Sequence, residues 1–311
     1  MTRRNRARRE DRIRQERARE QQAAPNALDA VQGKIGRNEN APRTFAPLIV
    51  GGVALAAVIG VVAWNAFAPR EALTVTALQS PVVGAVGAGE ALYPENSREA
   101  IGEVVKFGYL PAVDLARLSD GTLVLADADE AQEELGLASP VEQTDAETFL
   151  AADIPAPAQD DGEGWSDTGT PVTWMQALEE FGDATVFVPR VESIDLVGET
   201  LGQVESAGRM DAVIVRSGDP EALRVAAEKG ATAMYEGDLA GVTPADLEGV
   251  GATMVAVPAE SPDLDTWIGS DLQVWATGVA DEANLGELAE RGVYGALAEN
   301  PYSIQPSAVK Q

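Results

Sequence analysis

Beyond residue 80, short apolar runs alternate with amphipathic stretches of helical period. Runs at 82–86, 110–115, 123–126, 184–188, 212–215, 231–235, 253–257, 272–276 and 293–297 predict strands. Between them, 96–106, 173–182, 195–207, 219–229, 243–249 and 282–291 predict helices. Asn96 or Ser97 is placed to cap the first helix, and Asp219-Pro220 and Thr243-Pro244 are cap-plus-proline starts. Residues 127–170 break the rhythm with an acidic, Ala-, Pro- and Gly-rich stretch. Almost continuously apolar strands between helices predict a parallel sheet covered on both faces. About eight such units in ~230 residues suit a (β/α)8 barrel, and a doubly wound open sheet is the alternative.

The segment 44–69 is different in kind. It carries no charge, and 48–64 is nearly pure Val, Ala, Ile, Leu and Gly. At ~1.5 Å per residue it is long enough to cross a ~30 Å hydrocarbon core as a single transmembrane helix. Trp64 and Phe67 lie where interfacial aromatics belong. A cleaved signal peptide is the rival, with Ala66-Phe67-Ala68 as its cleavage site, but Pro69 and a 43-residue leader argue for an uncleaved anchor. Gly52, Ala56 and Gly60 share one helical face on which a partner helix could approach, unless they reflect only the composition of the segment.

Charge divides at the same place. Residues 1–43 carry a net +6 and residues 44–311 a net −33, within a total of −27. The arginine-rich tail is expected to stay cytoplasmic and the acidic domain to lie outside the cell membrane. The tail has no aromatic residue for stacking bases and the domain repels phosphate, so no nucleic-acid partner is expected. The expected organisation is a tail 1–43, a membrane helix 44–69, a linker 70–80, a barrel 81–305 and a tail 306–311. The chain has no cysteine and no histidine, which removes the common triads and every thiolate or imidazole metal site.

Residues 94–136 carry a resemblance. Pro94-Glu95-Asn96-Ser97, Asp114 and Asp120-Gly121 are similar in order and spacing to the Pro-Glu-Asn-Thr, Glu-x-Asp and Asp-Gly signals of glycerophosphodiester phosphodiesterases. Ser217 to Leu223 resembles a Ser-Phe-Asp-Pro-Glu-Ala-Leu segment of that family. The stretch from Leu272 to Pro301 resembles its closing Trp-Thr strand, helix and Gly-Val-Asp-Gly pattern. The resemblance spans about 80–303 and implies the barrel rather than the open sheet.

It also implies a site whose chemistry is gone. The family uses two histidines as acid and base, an arginine, and a divalent cation held by carboxylates. The histidine places hold Val86 and Asp127, and the arginine place holds Gly87. The two metal-binding glutamate places hold Ala112 and Val188, while Arg190 keeps a cation at the lysine place. Asp114 alone remains of the metal set, and a capping or surface carboxylate at the strand end is the favoured reading of it. Trp275 reads either as a pocket wall at the barrel mouth or as core. No cofactor is expected; Ca²⁺ or Mg²⁺ enters only if Asp127 or Glu192 rebuilds a site.

The resulting expectation is a membrane-tethered, catalytically inactive barrel that binds another membrane or envelope protein. An active hydrolase of glycerophosphodiesters with a rebuilt site is the alternative. A lipid-headgroup or lectin-like sensor using the old pocket is a third.

Overall fold

The computed structural model describes residues 72–158, 165 and 167–306. The expected membrane helix, the face Gly52, Ala56 and Gly60, and both tails apart from residue 306 lie outside these residues. Among the described residues, no helix is long and apolar enough to cross a membrane.

Seven parallel strands form one curled sheet. They are β1 (Val82–Val86), β2 (Leu110–Ala112), β5 (Ile214–Ser217), β6 (Thr232–Tyr235), β7 (Met254–Pro258), β8 (Gln273–Thr277) and β9 (Gly295–Ala298), ordered β2-β1-β9-β8-β7-β6-β5. The two edges meet through 186–190, where only isolated bridges form, Asp114 with Arg190 and Phe187 and Arg190 with β5 and its lead-in. Val188 N–H donates to the Pro111 carbonyl on one side, and Arg216 N–H to the Pro189 carbonyl on the other. The expected strand at 184–188 is therefore present as an irregular seam. Pro189 interrupts its donors and Arg190 ends it in charge.

Helices cover the outside. They are α1 (Arg98–Lys106), α4 (Trp174–Phe181), α5 (Ile194–Ser206), α6 (Pro220–Glu228), α7 (Pro244–Gly249), α8 (Leu264–Ile268), α9 (Glu282–Arg291) and α10 (Pro301–Ile304). Their starts are capped as the sequence indicates. Ser97 accepts from Ala100 N–H, Asp219 from Glu221 N–H, and Thr243 forms a capping box with Asp246.

Two expectations change. The run 110–115 is not one strand, because after β2 the chain leaves the sheet and pairs as an antiparallel hairpin, β3 (Leu115–Arg117) with β4 (Leu123–Leu125). The run 123–126 therefore belongs to this hairpin and not to the barrel. Together with α2 (Ala131–Glu134) and α3 (Ala146–Leu150) it encloses a small core of its own, centred on Leu118, Val124, Val141 and Phe149. Residues 72–80, read as part of a linker, pack against the barrel instead. Leu73, Val75 and Leu78 lie against the interior cluster at the end where the strands begin. Arg209 donates to the Leu73 and Gly182 carbonyls there.

Inside the barrel, Val82, Leu110, Val186, Ile214, Met234, Met254 and Leu297 pack around Trp275. Trp275 has room because two neighbours lack side chains. A Cβ on Gly295 would come within 3.1 Å of the indole, and one on Gly84 within 2.8 Å of Leu297 and 3.6 Å of the indole. Truncating this plug, Trp275→Ala, is expected to destabilise the domain by about 3–5 kcal/mol in denaturant unfolding. Gly295→Val should also destabilise it, by overpacking.

Candidate functional site

The loops that leave the strand ends meet at one mouth. The loop after β1 turns through Gly87, Ala88 and Gly89, at φ of 56°, 60° and 90°. It returns through Glu90 to Pro94-Glu95-Asn96-Ser97. A Cβ on Gly87 would stand 2.3 Å from Glu90 Oε2 and 2.7 Å from Glu95 Cγ. Two carboxyl side chains thus fold over the position where the resemblance places an arginine, and no larger residue fits there unless they move.

Asn96 holds this loop to the end of β2. Its side-chain oxygen accepts from Asp114 N–H at 3.0 Å, and its amide donates to Asp114 Oδ2 at 3.4 Å and to Glu95 Oε1 at 2.9 Å. The φ of Asn96 is 53°, a region asparagine enters more readily than most residues.

Asp114 is buried at the start of the small hairpin domain, and its Oδ1 lies 3.9 Å from both Arg190 Nη1 and Arg216 Nη2. Arg216, in the middle of β5, is only 2% exposed. Its Nη1 donates to Glu236 Oε2 at 2.8 Å, its Nε to the Val188 carbonyl at 3.0 Å, and its Nη2 to the Val113 carbonyl at 3.4 Å. Arg190 also donates to Glu192 at 2.5 Å.

Two cavities flank Arg190 and Glu192. One of about 400 Å³ is lined by Asp114, Arg117, Asp127 and Glu142, among others. The other, about 600 Å³, reaches Ser217, Asp219 and Glu236.

The residues singled out from sequence separate here. Asp114, Asp127 and Arg190 come together at the first cavity. Val86 ends β1 and Gly87 opens the loop that follows it, and Ala112 and Val188 are buried aliphatic side chains. Asp127 accepts from Asp129 and Glu130 N–H at 2.8 and 3.3 Å, which ties it to the start of α2. Asp120 accepts from Thr122 and Ala146 N–H at 3.0 and 3.1 Å, and Gly121 at φ 87° completes the hairpin turn. These backbone donors hold the Asp120 carboxyl below the usual range. Trp275 is core, wholly buried in the barrel interior.

Sequence reasoning missed Arg216, Glu236, Glu90 and the role of Glu95. The available signal was Arg216 itself, a single cation directly after the apolar run 212–215.

Electrostatically the mouth is crowded with acid. Burial, reinforced by Glu299, Asp114 and Glu130, pushes Glu90 up to about 7. Burial, with Glu134 and Glu90 nearby, pushes Glu95 up to about 9. Burial also raises Asp114, against the opposing pull of Arg216, Arg190 and the Asn96 amide. Glu95, Glu130 and Glu134 each bring a carboxylate oxygen within 4.8 Å of the others. Glu130 and Glu134 are solvent-exposed, and such clusters are common on acidic surfaces.

A divalent cation does not fit the place the resemblance implies. Two of its three carboxylate positions are Ala112 and Val188, and the third, Asp114, faces two guanidinium groups. Calcium takes six to eight oxygens, which this set does not supply.

No family model and no curated protein matches the chain. Solved structures do. A phosphodiesterase structure from Silicibacter pomeroyi, described as a putative glycerophosphoryl diester phosphodiesterase, aligns with a TM-score of 0.62 at 14% identity, covering 73% of this chain and 92% of its own. A glycerophosphodiester phosphodiesterase from Agrobacterium tumefaciens aligns at 0.60 and 14%, covering 72% and 99%. An Oleispira antarctica phosphodiesterase in complex with the product sn-glycerol-3-phosphate aligns at 0.58 and 17%, covering 73% and 96%. The fold is therefore that of a glycerophosphodiester-phosphodiesterase-like barrel. At these identities the likeness extends to the fold and not to the activity.

The raised carboxyls give a pH dependence of defined sign. Glu90 and Glu95 keep protons in the folded chain that an unfolded chain releases near pH 4.5. Their contribution to stability is complete below that pH and is lost as pH rises through about 7 and then about 9. Melting temperature is expected to fall between about pH 5 and about pH 9. Glu95→Gln should flatten the upper part of that profile, and an unchanged slope in this variant would show that the carboxyl titrates normally.

Proposed function

We propose that this chain is a membrane-tethered, catalytically inactive phosphodiesterase-like barrel, acting as a binding or accessory subunit of a membrane or cell-envelope complex. The observation that carries the reading is the state of Asp114. The one carboxylate left from the metal set lies between Arg190 and Arg216, in a chain without a single histidine. Acid–base exchange at a phosphodiester needs groups that give and take a proton near neutral pH, and losing one such group commonly costs ~10²–10⁴ in rate. Here both histidine places and the arginine place are lost together. The tether rests on the uncharged segment 44–69 behind a basic tail. With the tail inside, the acidic domain lies outside the cytoplasm, and a partner there is a membrane or envelope protein rather than nucleic acid.

A second reading, a hydrolase with a rebuilt site, has one observation in its favour. Glu90, pushed up to about 7, is a carboxyl able to exchange a proton at neutral pH, and it lies at the same mouth.

One preparation decides between them. Full-length protein in mild detergent should release no glycerol phosphate from glycerophosphocholine or glycerophosphoethanolamine, with or without Ca²⁺ or Mg²⁺. It should co-purify with the same membrane protein in repeated isolations from its native host. Turnover abolished by Glu90→Gln would establish the hydrolase, and repeated recovery of the chain alone would remove the accessory role.

A further inference from the structure

The seam between β2 and β5 has a defect, and Arg216 sits in it. In a regular parallel ladder each carbonyl of the closing segment accepts a backbone N–H from its neighbour. No backbone N–H among the described residues donates to the Val188 carbonyl, and Arg216 Nε does so instead, at 3.0 Å. A buried carbonyl left without a donor is costly, so this contact holds the irregular segment in place. The same guanidinium reaches the Val113 carbonyl on the other side of the seam and Glu236 beyond β6, with Asp114 Oδ1 at 3.9 Å. Four oxygens from three segments converge on one positive charge that is almost fully withdrawn from water. They are two backbone carbonyls and two carboxylates, the oxygen chemistry that binds hard cations.

We propose that Arg216 is a built-in cation: its guanidinium has taken over the position and the fastening role of a divalent ion at the barrel mouth, and it makes the domain independent of metal. The proposal rests on the inactive reading above, since both concern one site. The planar fork matters as well as the charge. Nε and the two Nη groups point in three fixed directions, to Val188, Glu236 and Val113, which a point charge on a flexible stem does not reproduce. The neighbouring Ala112 and Val188 follow from the same replacement. Glutamates there would add buried negative charge that one guanidinium already shared by Asp114 and Glu236 does not offset.

The test is thermal unfolding of the full-length chain in mild detergent, followed by tryptophan fluorescence. For the unaltered chain, EDTA and then millimolar Ca²⁺ or Mg²⁺ should move the melting temperature by less than about 1 °C, as expected where no ion prefers the folded state. Arg216→Ala should melt lower by roughly 6–20 °C, the effect of leaving buried charges unpaired in a domain of this size. Millimolar methylguanidinium should restore part of that loss where the same concentration of sodium or tetramethylammonium does not. Arg216→Lys should remain well below the unaltered chain.

A metal-dependent rise of several degrees in the unaltered chain, reversed by EDTA, would overturn the proposal. So would an Arg216→Ala variant as stable as the unaltered chain. If Arg216→Ala yields no folded protein, the ion titration of the unaltered chain and the Arg216→Lys comparison still decide. Hydrolysis of a phosphodiester bears on the inactive reading alone, whereas an ion-dependent shift without hydrolysis removes only the built-in cation.

Discussion

A guanidinium in the middle of a barrel strand has to be met by oxygen in several directions, and much of the mouth is arranged around that need. Arg216 leaves β5 and is met by the Val188 and Val113 carbonyls and by Glu236. The two carbonyl contacts lie at the seam where 186–190 joins the two edges of a seven-stranded sheet. The position of Asp114 follows, because the same charge draws its carboxylate while Asn96 fixes it from the other side. Asn96 in turn sets the loop that folds Glu90 and Glu95 over Gly87. One buried charge thus links the closure of the sheet to the shape of the cleft.

An excess of acid in the domain makes this arrangement necessary. With a net of −33 over residues 44–311, carboxyls reach the mouth whether or not they have work to do there. The structure accommodates them in three ways. Asp114 and Glu236 face arginines, and Asp120 and Asp127 take backbone N–H donors at turns. Among the described residues no cation lies within ion-pairing distance of Glu90 or Glu95, and burial favours their neutral forms. The first two ways keep charge and fix geometry. The third gives up charge, keeping Glu95 protonated and Glu90 part-protonated at neutral pH.

Most of the architecture was legible because helices and buried strands have distinct periods, and the helix caps at Ser97, Asp219 and Thr243 lie where their side chains require. The failures have physical causes. The hairpin of Leu115–Arg117 with Leu123–Leu125 is as apolar as a barrel strand, because it covers a core of its own, so pattern alone assigned it to the sheet. The seam at 186–190 reads as a strand by composition, but Pro189 and the neighbouring Arg216 side chain replace part of its ladder. The site was half legible. Positions named by resemblance, such as Asp114 and Arg190, do meet. The residue that organises them, Arg216, was visible only as a lone charge at the end of an apolar run.

The positions that resemble the family's signals have structural duties of their own. Asn96 binds the backbone of Asp114, Asp120 and Gly121 make a hairpin turn, and Ser97 caps a helix. Each has a structural duty whose loss would cost the fold on the order of 1 kcal/mol or more, whatever the site does. The places now held by Gly87, Ala112 and Val188 carry no side-chain hydrogen bond of this kind. A glutamate or an arginine there burdens the barrel with buried charge unless a metal or a substrate phosphate is present to match it. With Arg216 already shared by Asp114 and Glu236, aliphatic side chains at Ala112 and Val188 add no buried charge.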